Sequence, residues 1–425
     1  MTNQVDYFKD QRKREYVNYA SSNAELKNPI NEQTVKTARA WRKSRLIQSL
    51  KQHDCDAILL FDPVNIRYAL DSSNMNVWAL HNQFHYALVF ADGYAVDFAF
   101  PNSEHLSSRL ETVNEVRQSI SWFFFAAGGT GPERASKWGD EIVDLLREHG
   151  ASRSRVAVDK IDPMGLDALR ARGINPIEGQ RVVELARCIK NDAELQIMDW
   201  TIKVAESGMR RMYEASVPGK TEQEIWAELH FENIRWGGEW IETRLCTAGP
   251  RTNPWWSECS DYVCQEGDML AFDTDMIGPY GYCADLSRSW TIGHVPMDGQ
   301  QQELYSVALE QIEHNVSILK PGLSFSEFND LSWKLPDKYV ANRYSAAIHG
   351  IGLADEYPNI PPHPDFDPGY DGIFEENMVV CAEALIGEEG GRECVKLETQ
   401  VVIGPTGATR LDTFPFVEVR GPLVL

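Results

Sequence analysis

The stretch that decides the fold reads MLAFDTDMIGPYGYCADLSRSWTI, residues 269–292. Two apolar runs flank the turn sequence GPYG, and this arrangement predicts a β-hairpin. Asp273 and Asp275 lie two residues apart on the first strand, so both side chains leave the same face, and Asp285 returns across from them on the second strand. Carboxylates that face inward from a strand are costly to bury unless a cation neutralises them, so the hairpin indicates a metal site.

Three further residues extend this candidate site. His349 lies in the run AAIHGIGLADEYP, Glu383 in MVVCAEALI and Glu398 in CVKLETQVV. Taken singly, each has an ordinary explanation as a solvated carboxylate or a satisfied core histidine, but the ordered set favours metal ligands. Several carboxylates with a single imidazole suit Mn, Fe, Co or Zn better than they suit a thiolate zinc site. Because carboxylates can bridge, the set is able to hold two ions about 3.5–4 Å apart.

The bulk composition restricts the class of protein. A chain of 425 residues predicts two domains, and 43% hydrophobic with 24% charged residues is ordinary for a globular protein. The net charge of −22 at pH 7 argues against nucleic acid as a partner, because phosphate contacts require a basic face. The chain has no apolar run of membrane-spanning length and a polar start, so we expect a cytoplasmic enzyme without a membrane partner. The eight cysteines form no C-x-x-C pair, and we expect reduced thiols.

The sequence divides into three segments. Residues 1–33 are polar and predict an N-terminal arm, whereas residues 34–185 alternate helical and strand patterns and predict an α/β domain. Residues 186–425 predict an α+β domain in which helices pack on a curved, mostly antiparallel sheet. One of these helices begins at a capping box, with Thr221 as the N-cap and Glu224 three residues later.

The order of the candidate ligands resembles that of the pita-bread metallopeptidase family, which includes prolidase, aminopeptidase P, methionine aminopeptidase and the non-hydrolytic creatinase. Further landmarks extend the resemblance over most of the chain: FDP at 61–63, NIRY at 65–68, RCIK at 187–190, PG at 218–219 and LKPG at 319–322. The resemblance implies a creatinase-like N-terminal domain followed by a pita-bread catalytic domain.

The resemblance also implies a ligand set. By this comparison Asp285 and Glu398 bridge two ions, and His349 and Glu383 hold one of them. The other ion takes either Asp273 or Asp275, and the sequence does not decide between the two.

The spacing of the hairpin carboxylates is the first departure from the peptidase pattern. The family has a single Asp eleven residues before the bridging Asp. Here Asp273 lies twelve residues before Asp285, and Asp275 lies ten before it. The hairpin has therefore changed length, and an extra carboxylate is expected to face the site.

Two other departures replace histidines. After the metal His, peptidases have a second His at the position of Asp355, and an acceptor there suits removal of a proton. Where peptidases have another His, this chain has Trp255 and Trp256, which are able either to pack in the core or to receive an onium cation. Tyr344, five residues before His349, is a third ring with the same two interpretations.

An acidic base, aromatic rings and a metal pair suit a small zwitterion that carries a carboxylate and an onium group. The combination resembles the dimethylsulfoniopropionate lyases, pita-bread relatives that cleave this osmolyte to dimethyl sulfide and acrylate. The resemblance implies a β-elimination with Asp355 as general base and an onium site made by Tyr344, Trp255 and Trp256. It also implies two metal ions per subunit, with iron favoured over Mn, Zn or Co, and a homodimer.

Other functions stay open at this point. The chain could be a Xaa-Pro dipeptidase or aminopeptidase that works without the missing histidines, or a creatinase-like enzyme that cleaves another onium compound. The non-enzymatic alternative is a substrate-binding protein with a decayed catalytic site, although decayed sites usually lose a ligand and this chain keeps the full order. The sequence also permits, without deciding, that residues 78–85 of a partner subunit close the active site.

Overall fold

The computed structural model describes residues 26–151 and 155–416, and most of the predicted N-terminal arm lies outside these ranges. The backbone divides into a first unit, Glu32–Ala193, and a second unit that begins at Glu194 and includes the described residues before Glu32. The division falls later in the chain than the boundary predicted at residue 185. None of the helices in the described ranges combines the length and the apolar character needed to cross a membrane.

The first unit contains a mixed sheet with helices, which confirms the α/β class predicted for this region. Its strands are β1 (Ala57–Leu60), β2 (Tyr86–Phe90), β3 (Ala95–Ala99), β4 (Glu115–Gln118), β5 (Val156–Val158) and β6 (Ile177–Glu178), joined in the order β4-β3-β2-β1-β5-β6. Its helices are α1 (Glu32–Gln52), α2 (Pro63–Leu70), α3 (Asn76–His81), α4 (Phe124–Ala127), α5 (Gly131–Glu148), α6 (Pro163–Arg170) and α7 (Gln180–Arg187). Buried aromatic rings centre its core, where Phe61 lies 5.3 Å from Tyr86 and 6.0 Å from Trp138.

The second unit combines helices with antiparallel sheets, as the sequence predicts. Its helices are α8 (Asp192–Ala215), which begins just before the division, α9 (Glu222–Arg235), α10 (Gly299–Ile318) and α11 (Phe325–Leu331). Its strands are β7 (Trp240–Ile241), β8 (Cys246–Ala248), β9 (Met269–Asp273), β10 (Met276–Ile277), β11 (Cys283–Ala284), β12 (Ser287–Thr291), β13 (Ile348–Ile351), β14 (Asp355–Ile360), β15 (Val379–Ile386), β16 (Val395–Ile403) and β17 (Ala408–Arg410).

Three antiparallel sheets organise these strands. The largest has the order β14-β13-β15-β16-β17, and two smaller sheets have the orders β12-β9-β8 and β11-β10-β7. The predicted capping box at α9 is present, because Thr221 accepts a hydrogen bond from the Glu224 amide and Glu224 accepts one from the Thr221 amide. The short helix α11 was not predicted, although Ser324 and Glu327 form the same kind of capping box at its start.

The prediction of one continuous strand through Asp273 and Asp275 is wrong. Strand β9 ends at Asp273 and pairs with β8 and β12, whereas β10 begins at Met276 and pairs with β7 and β11. Between them Asp275 has a φ of 34°, in the left-handed region that non-glycine residues rarely adopt. The chain changes sheet at this point, so the two carboxylates do not share one strand face.

The side chain of Thr274 replaces main-chain pairing at this break. Its hydroxyl donates to the Ala284 carbonyl at 2.8 Å and accepts from the Leu286 amide at 2.9 Å. The register of the hairpin is the same on both sides, with Asp273 opposite Ser287 and Met276 opposite Ala284. The Ala284 carbonyl and the Leu286 amide therefore keep hydrogen-bond partners at the break.

Candidate metal centre

Strand pairing brings the three predicted ligands of the large sheet together. Glu383 on β15 lies directly opposite Glu398 on β16, so their side chains leave the same face. His349 on β13 pairs with Cys381, two residues before Glu383, and therefore shares that face. All three ligand side chains are buried, with exposed fractions of 8% or less.

The imidazole of His349 lies amid carboxylate oxygens. Its Nε2 atom is 3.1 Å from Glu398 Oε1, 3.3 Å from Glu383 Oε1 and 3.8 Å from Asp285 Oδ2. Its Nδ1 atom lies 3.1 Å from the Gly350 carbonyl, and a hydrogen bond there assigns the proton to Nδ1. The Nε2 atom faces the carboxylate oxygens, as in a histidine that shares a metal ion with carboxylate ligands.

A buried lysine that the sequence analysis did not assign lies on the other side of the two glutamates. The ammonium of Lys396 is 2.8 Å from Glu383 Oε2, 2.9 Å from Asp273 Oδ2 and 3.3 Å from Glu398 Oε2. Its side chain is fully buried. Lys396 precedes Glu398 by two residues on β16, so strand alternation was the signal that could have placed it in the site.

Asp275 and Asp285 form the third part of the cluster. The carboxylate of Asp285 accepts a hydrogen bond from the Asp275 amide at 3.2 Å, and the Thr243 hydroxyl donates to Asp275. Ligand atoms of Asp273, Asp275 and Asp285 all lie within 4.8 Å of one another. The same limit holds for Asp273, Glu383 and Glu398, and for a group that joins Cys381 to Asp285, His349 and Glu398.

The charges in this cluster are unbalanced. Among the described residues it contains five carboxylates, one ammonium and one imidazole: Asp273, Asp275, Asp285, Glu383, Glu398, Lys396 and His349. Burial, reinforced by neighbouring carboxylates, raises the pKa of Asp275 and of Asp285 well above the ordinary carboxyl value. Burial likewise raises the pKa of Glu383 to about 8, although the charge of Lys396 opposes the rise.

These donors fit a divalent metal ion. The excess of buried negative charge requires cations, and oxygen donors with one imidazole nitrogen suit a transition metal. Burial raises the pKa of the Cys381 thiol well above its ordinary value, and its Sγ lies 3.7 Å from the Asp285 carbonyl. A protonated thiol is a poor ligand, so the carboxylates and His349 make the better set.

Asp355 lies at the opposite edge of the imidazole, at the start of β14. Its Oδ1 atom is 3.6 Å from His349 Nδ1, and 59% of its side chain is exposed to solvent. Crowding by protein atoms and by the carboxylates of Glu398 and Glu356 raises the pKa of Asp355, while the charges of His349 and Lys396 oppose the rise. The exposure of the carboxylate limits how far this rise can go, and it also leaves Asp355 accessible to a small molecule.

The predicted aromatic residues differ in their placement. The Tyr344 ring centroid lies 4.5 Å from the Lys396 ammonium, and Trp256 stacks on Tyr344 at 5.2 Å between centroids. Trp256 is 60% exposed and has a φ of 82°. Trp255 is buried in an apolar cluster, together with Leu245, Ala271, Leu385 and Cys394. The stacked pair is therefore the aromatic surface beside the carboxylates, and Trp255 packs behind it.

Both units of the chain match models of known protein families. Residues 196–405 match metallopeptidase family M24, and residues 42–189 match the creatinase/prolidase N-terminal domain. A solved structure of a Xaa-Pro dipeptidase from Bacillus anthracis has a TM-score of 0.70 with 21% identity, and the match covers 89% of this chain and 98% of that one. At this identity the likeness shows the fold, which is the one predicted.

Two curated relatives are considerably more similar in sequence. The dimethylsulfoniopropionate lyase DddP of Roseovarius nubinhibens is 41% identical over 384 residues, which cover 89% of this chain and 86% of the relative. The protein of the same name from Roseobacter denitrificans is 40% identical over 385 residues, with the same coverage of 89% and 86%.

Proposed function

Because the chain belongs to the dimethylsulfoniopropionate lyase DddP family, on the fold of metallopeptidase family M24, we propose that it cleaves dimethylsulfoniopropionate to dimethyl sulfide and acrylate. The observation that carries the proposal is the position of Asp355, an accessible carboxylate 3.6 Å from the imidazole of a candidate metal ligand. An acceptor at this position suits proton removal, whereas stabilisation of an oxyanion requires a donor.

We propose that the centre holds two divalent ions, with iron favoured and Mn, Zn or Co as alternatives. The residues that would hold them are Asp285 and Glu398 as bridges, His349 and Glu383 for one ion, and Asp275 or Asp273 for the other. A divalent ion bound there supplies Lewis acidity, which draws charge from the substrate carboxylate and lowers the barrier to loss of the α-proton.

The protein's own residues would carry the β-elimination. Asp355 takes the α-proton, and the electron pair of that C–H bond forms the carbon–carbon double bond of acrylate. The C–S bond breaks, and its electron pair leaves with sulfur as neutral dimethyl sulfide. A carboxylate is a weak base for a carbon acid, so the upward shift of the Asp355 pKa favours this role.

The aromatic residues would bind the sulfonium group. Trp256 offers an exposed ring stacked on Tyr344, and an onium cation over such a face gains roughly 0.5–2 kcal/mol. Tyr344 already contacts the Lys396 ammonium, so Trp256 is the ring with a face open to substrate. Trp255, which is buried, would not contact the substrate directly, and its packing would hold in place the loop that carries Trp256.

Headspace gas chromatography tests the proposed reaction. Purified metal-loaded protein is incubated with dimethylsulfoniopropionate, in parallel with chelator-treated protein and with Asp355→Ala. Dimethyl sulfide that requires metal and disappears in the variant supports both the lyase and its base. Metal-replete protein that releases no dimethyl sulfide contradicts the lyase. Full activity of Asp355→Ala at normal metal content contradicts only the base.

A Xaa-Pro peptidase is the second candidate, and the likeness to the Bacillus anthracis dipeptidase structure favours it. The aspartate at position 355 disfavours it, because it removes a donor that could stabilise the tetrahedral intermediate. Hydrolysis of a proline dipeptide by protein that is inactive on dimethylsulfoniopropionate would reverse this order. A binding protein without catalysis is supported only if the substrate binds and neither reaction occurs.

We further propose a cytoplasmic homodimer. The first unit exposes Phe124 and Phe125, at 83% and 74%, and Phe125 packs beside Trp78 and Phe84. An exposed aromatic patch of this kind is a common feature of protein interfaces. All eight cysteines are buried and unpaired, which suits a reducing compartment. Light scattering after size exclusion tests the dimer, and a monomer with full lyase activity contradicts it.

A further inference from the structure

The two stacked rings of Trp256 and Tyr344, here called the aromatic pair, lie on separate loops of the second unit. Trp256 lies in the loop between β8 and β9, and Tyr344 lies in the segment before β13. Their ring planes make an angle of 19°, with the centroids 5.2 Å apart. The backbone of Trp256 has a φ of 82°, a conformation that a non-glycine residue keeps only when its surroundings hold it there. The position of this ring therefore depends on contacts that anchor the loop.

Two asparagine side chains join these loops by a direct hydrogen bond. The Nδ2 atom of Asn342 donates to Oδ1 of Asn253 at 2.8 Å. Asn342 precedes Tyr344 by two residues. Asn253 precedes Trp256 by three. The two loops are thus tied together by side chains that lie close in sequence to both rings.

The same two amides hold the turn that connects β15 to β16. Asn253 Nδ2 donates to the carbonyls of Glu388 at 2.8 Å and Gly391 at 2.9 Å. Asn342 Nδ2 also donates to the Glu388 carbonyl, at 3.2 Å. The turn fits closely around Asn253, because a Cβ atom at Gly387 would lie only 2.9 Å from Asn253 Oδ1. Both polar atoms of this buried side chain therefore have partners, and only its NH₂ group is able to face the two carbonyls.

Other contacts of the tryptophan loop attach it to the rest of the second unit. The buried carboxylate of Glu222 accepts hydrogen bonds from backbone amides on both sides of the tryptophans. The hydroxyl of Thr252 accepts one from the Cys394 amide at 3.0 Å. These contacts hold the backbone of the loop but do not extend to the segment that carries Tyr344. Asn253 differs from them because its hydrogen bonds reach both that segment and the turn between β15 and β16.

We propose that Asn253 is a positioning residue for substrate binding, and that its amide, together with that of Asn342, sets the place of the aromatic pair relative to the turn between β15 and β16. The strands joined by this turn carry Glu383 and Glu398, so the same contacts set the separation between the rings and these carboxylates. Asn253 acts on the substrate through Trp256. Its effect on substrate binding rests on the proposed lyase function, whereas its effect on the position of the ring does not.

Fluorine NMR measures the environment of the ring without any enzymatic activity. The protein is labelled with 5-fluorotryptophan, and the resonance of Trp256 is identified by its absence from Trp256→Phe. We expect Asn253→Ala to shift this resonance, and Asn342→Ala to shift it less, because the half-buried Asn342 makes fewer of the hydrogen bonds. Asn329→Ala is the matched control, since Asn329 is also buried and donates to a main-chain carbonyl, that of Pro361.

Two results of this measurement overturn the proposal. One is a Trp256 resonance that stays in place in Asn253→Ala, or in Asn342→Ala should Asn253→Ala fail to fold. The other is a resonance that moves as far in Asn329→Ala, because the shift then reports a general loss of stability.

The Michaelis constant tests the consequence for the substrate. Asn253→Ala should raise KM for dimethylsulfoniopropionate by about 2- to 30-fold, and by no more than Trp256→Ala does, with turnover nearly unchanged. The double variant should have the KM of Trp256→Ala alone, because the ring through which Asn253 acts is already absent. Additive effects would overturn the proposal. Wild-type protein that releases no dimethyl sulfide contradicts the lyase instead, and the fluorine resonance then still decides whether Asn253 positions the ring.

Discussion

Each unit of the protein has a histidine beside buried carboxylate groups, one carboxylate in the first unit and several in the second, and the two clusters behave differently. In the first unit, His85 Nε2 lies 2.8 Å from Asp97 Oδ1, and the Ser72 hydroxyl donates to Asp97 Oδ2 at 3.0 Å. One imidazole faces one carboxylate there. In the second unit, His349 and Lys396 face five carboxylates.

The direction of the pKa shift follows this difference. Burial acts to raise the pKa of Asp97, but the charge of His85 and hydrogen bonds from His85 and Ser72 outweigh it, so the pKa is lowered. Asp285 is buried to a similar extent, and its neighbours are further carboxylates that raise its pKa well above the ordinary value. Burial alone therefore does not identify a site, whereas an excess of like charge does.

The cluster of the first unit contains the residue types of a nucleophilic hydrolase but not the geometry. Ser72, His85 and Asp97 are the three residue types of a hydrolase triad. The Ser72 hydroxyl lies 3.2 Å from His85 Nε2, which is the same nitrogen that Asp97 contacts. A working triad requires the acid and the nucleophile on different ring nitrogens, so this group is a satisfied structural network.

The largest expected effect comes from loss of the proposed metal ions from the second cluster, because its carboxylates would then lack the cations that balance their charge. Asp285→Asn deletes one proposed bridging ligand, and we expect the lyase rate to fall by at least about 1000-fold, since a bound ion contributes several kcal/mol to catalysis. Metal analysis accompanies the assay. An Asp285→Asn protein that keeps both its metal and its activity would show that the cluster is not the centre.

The next effect concerns the base. Asp355→Asn removes the proton acceptor with little change in shape, and we expect the turnover rate to fall by about 10²–10⁴-fold with metal content retained. Asp261→Asn is the matched control, because Asp261 is an exposed carboxylate of the same unit. A comparable loss in the control would show that the assay reports surface charge rather than proton transfer.

A smaller effect is expected at the exposed ring. Trp256→Ala should raise KM for dimethylsulfoniopropionate by about 2- to 30-fold, corresponding to roughly 0.5–2 kcal/mol of cation–π energy, with a small change in turnover. Phe231→Ala removes another exposed ring of the second unit and should leave KM unchanged. If the two variants have the same KM as wild-type protein, Trp256 does not bind the onium group.

A substitution in the Ser72, His85 and Asp97 cluster of the first unit should change the stability of the protein and leave its lyase rate unchanged. Asp97→Asn is expected to lower the free energy of unfolding by about 1–3 kcal/mol at pH 7, with lyase activity unchanged, because a buried charge partner is lost. The folded-state pKa of Asp97 is lowered, so its contribution is present above the unfolded value of about 3.9 and is lost as pH falls through the folded value. The free energies of unfolding of wild-type protein, Asp97→Asn and the exposed control Asp144→Asn, measured in urea, should therefore begin to converge as the pH falls below about 4 and should meet below the folded pKa of Asp97. A constant difference across pH would exclude Asp97 as its source.

Strand alternation predicted much of the centre, because it depends only on local spacing. It placed Glu383 and Glu398 on inward faces, and their opposition across the sheet is then a consequence of register. It did not predict the break at Asp275, because the hydroxyl of Thr274 there replaces main-chain pairing. Sequence patterns describe ideal strands and do not anticipate a side chain that substitutes for backbone groups.

Two other features could not be assigned from the sequence, one because it depends on contacts that are remote in sequence and the other because it depends on a local backbone conformation. Lys396 reaches Asp273 from more than a hundred residues away, and only the pairing of separate sheets brings the two charges together. For the two tryptophans, the left-handed backbone of Trp256 sends its ring outward while Trp255 stays in the core. A run of two identical residues gives no indication of which one will be exposed.

The hydrogen bonds of the Thr274 hydroxyl bear on how the sequence around such a metal centre can change among related proteins. The hairpin keeps its register on both sides of the break, so the turn of the chain at Asp275 leaves the pairing of the flanking strands in step. One proposed ligand, Asp275, therefore lies on a break between strands, whereas Glu383 and Glu398 lie on paired strands. New chemistry can then be sampled by altering a single corner of the centre, at little risk to folding.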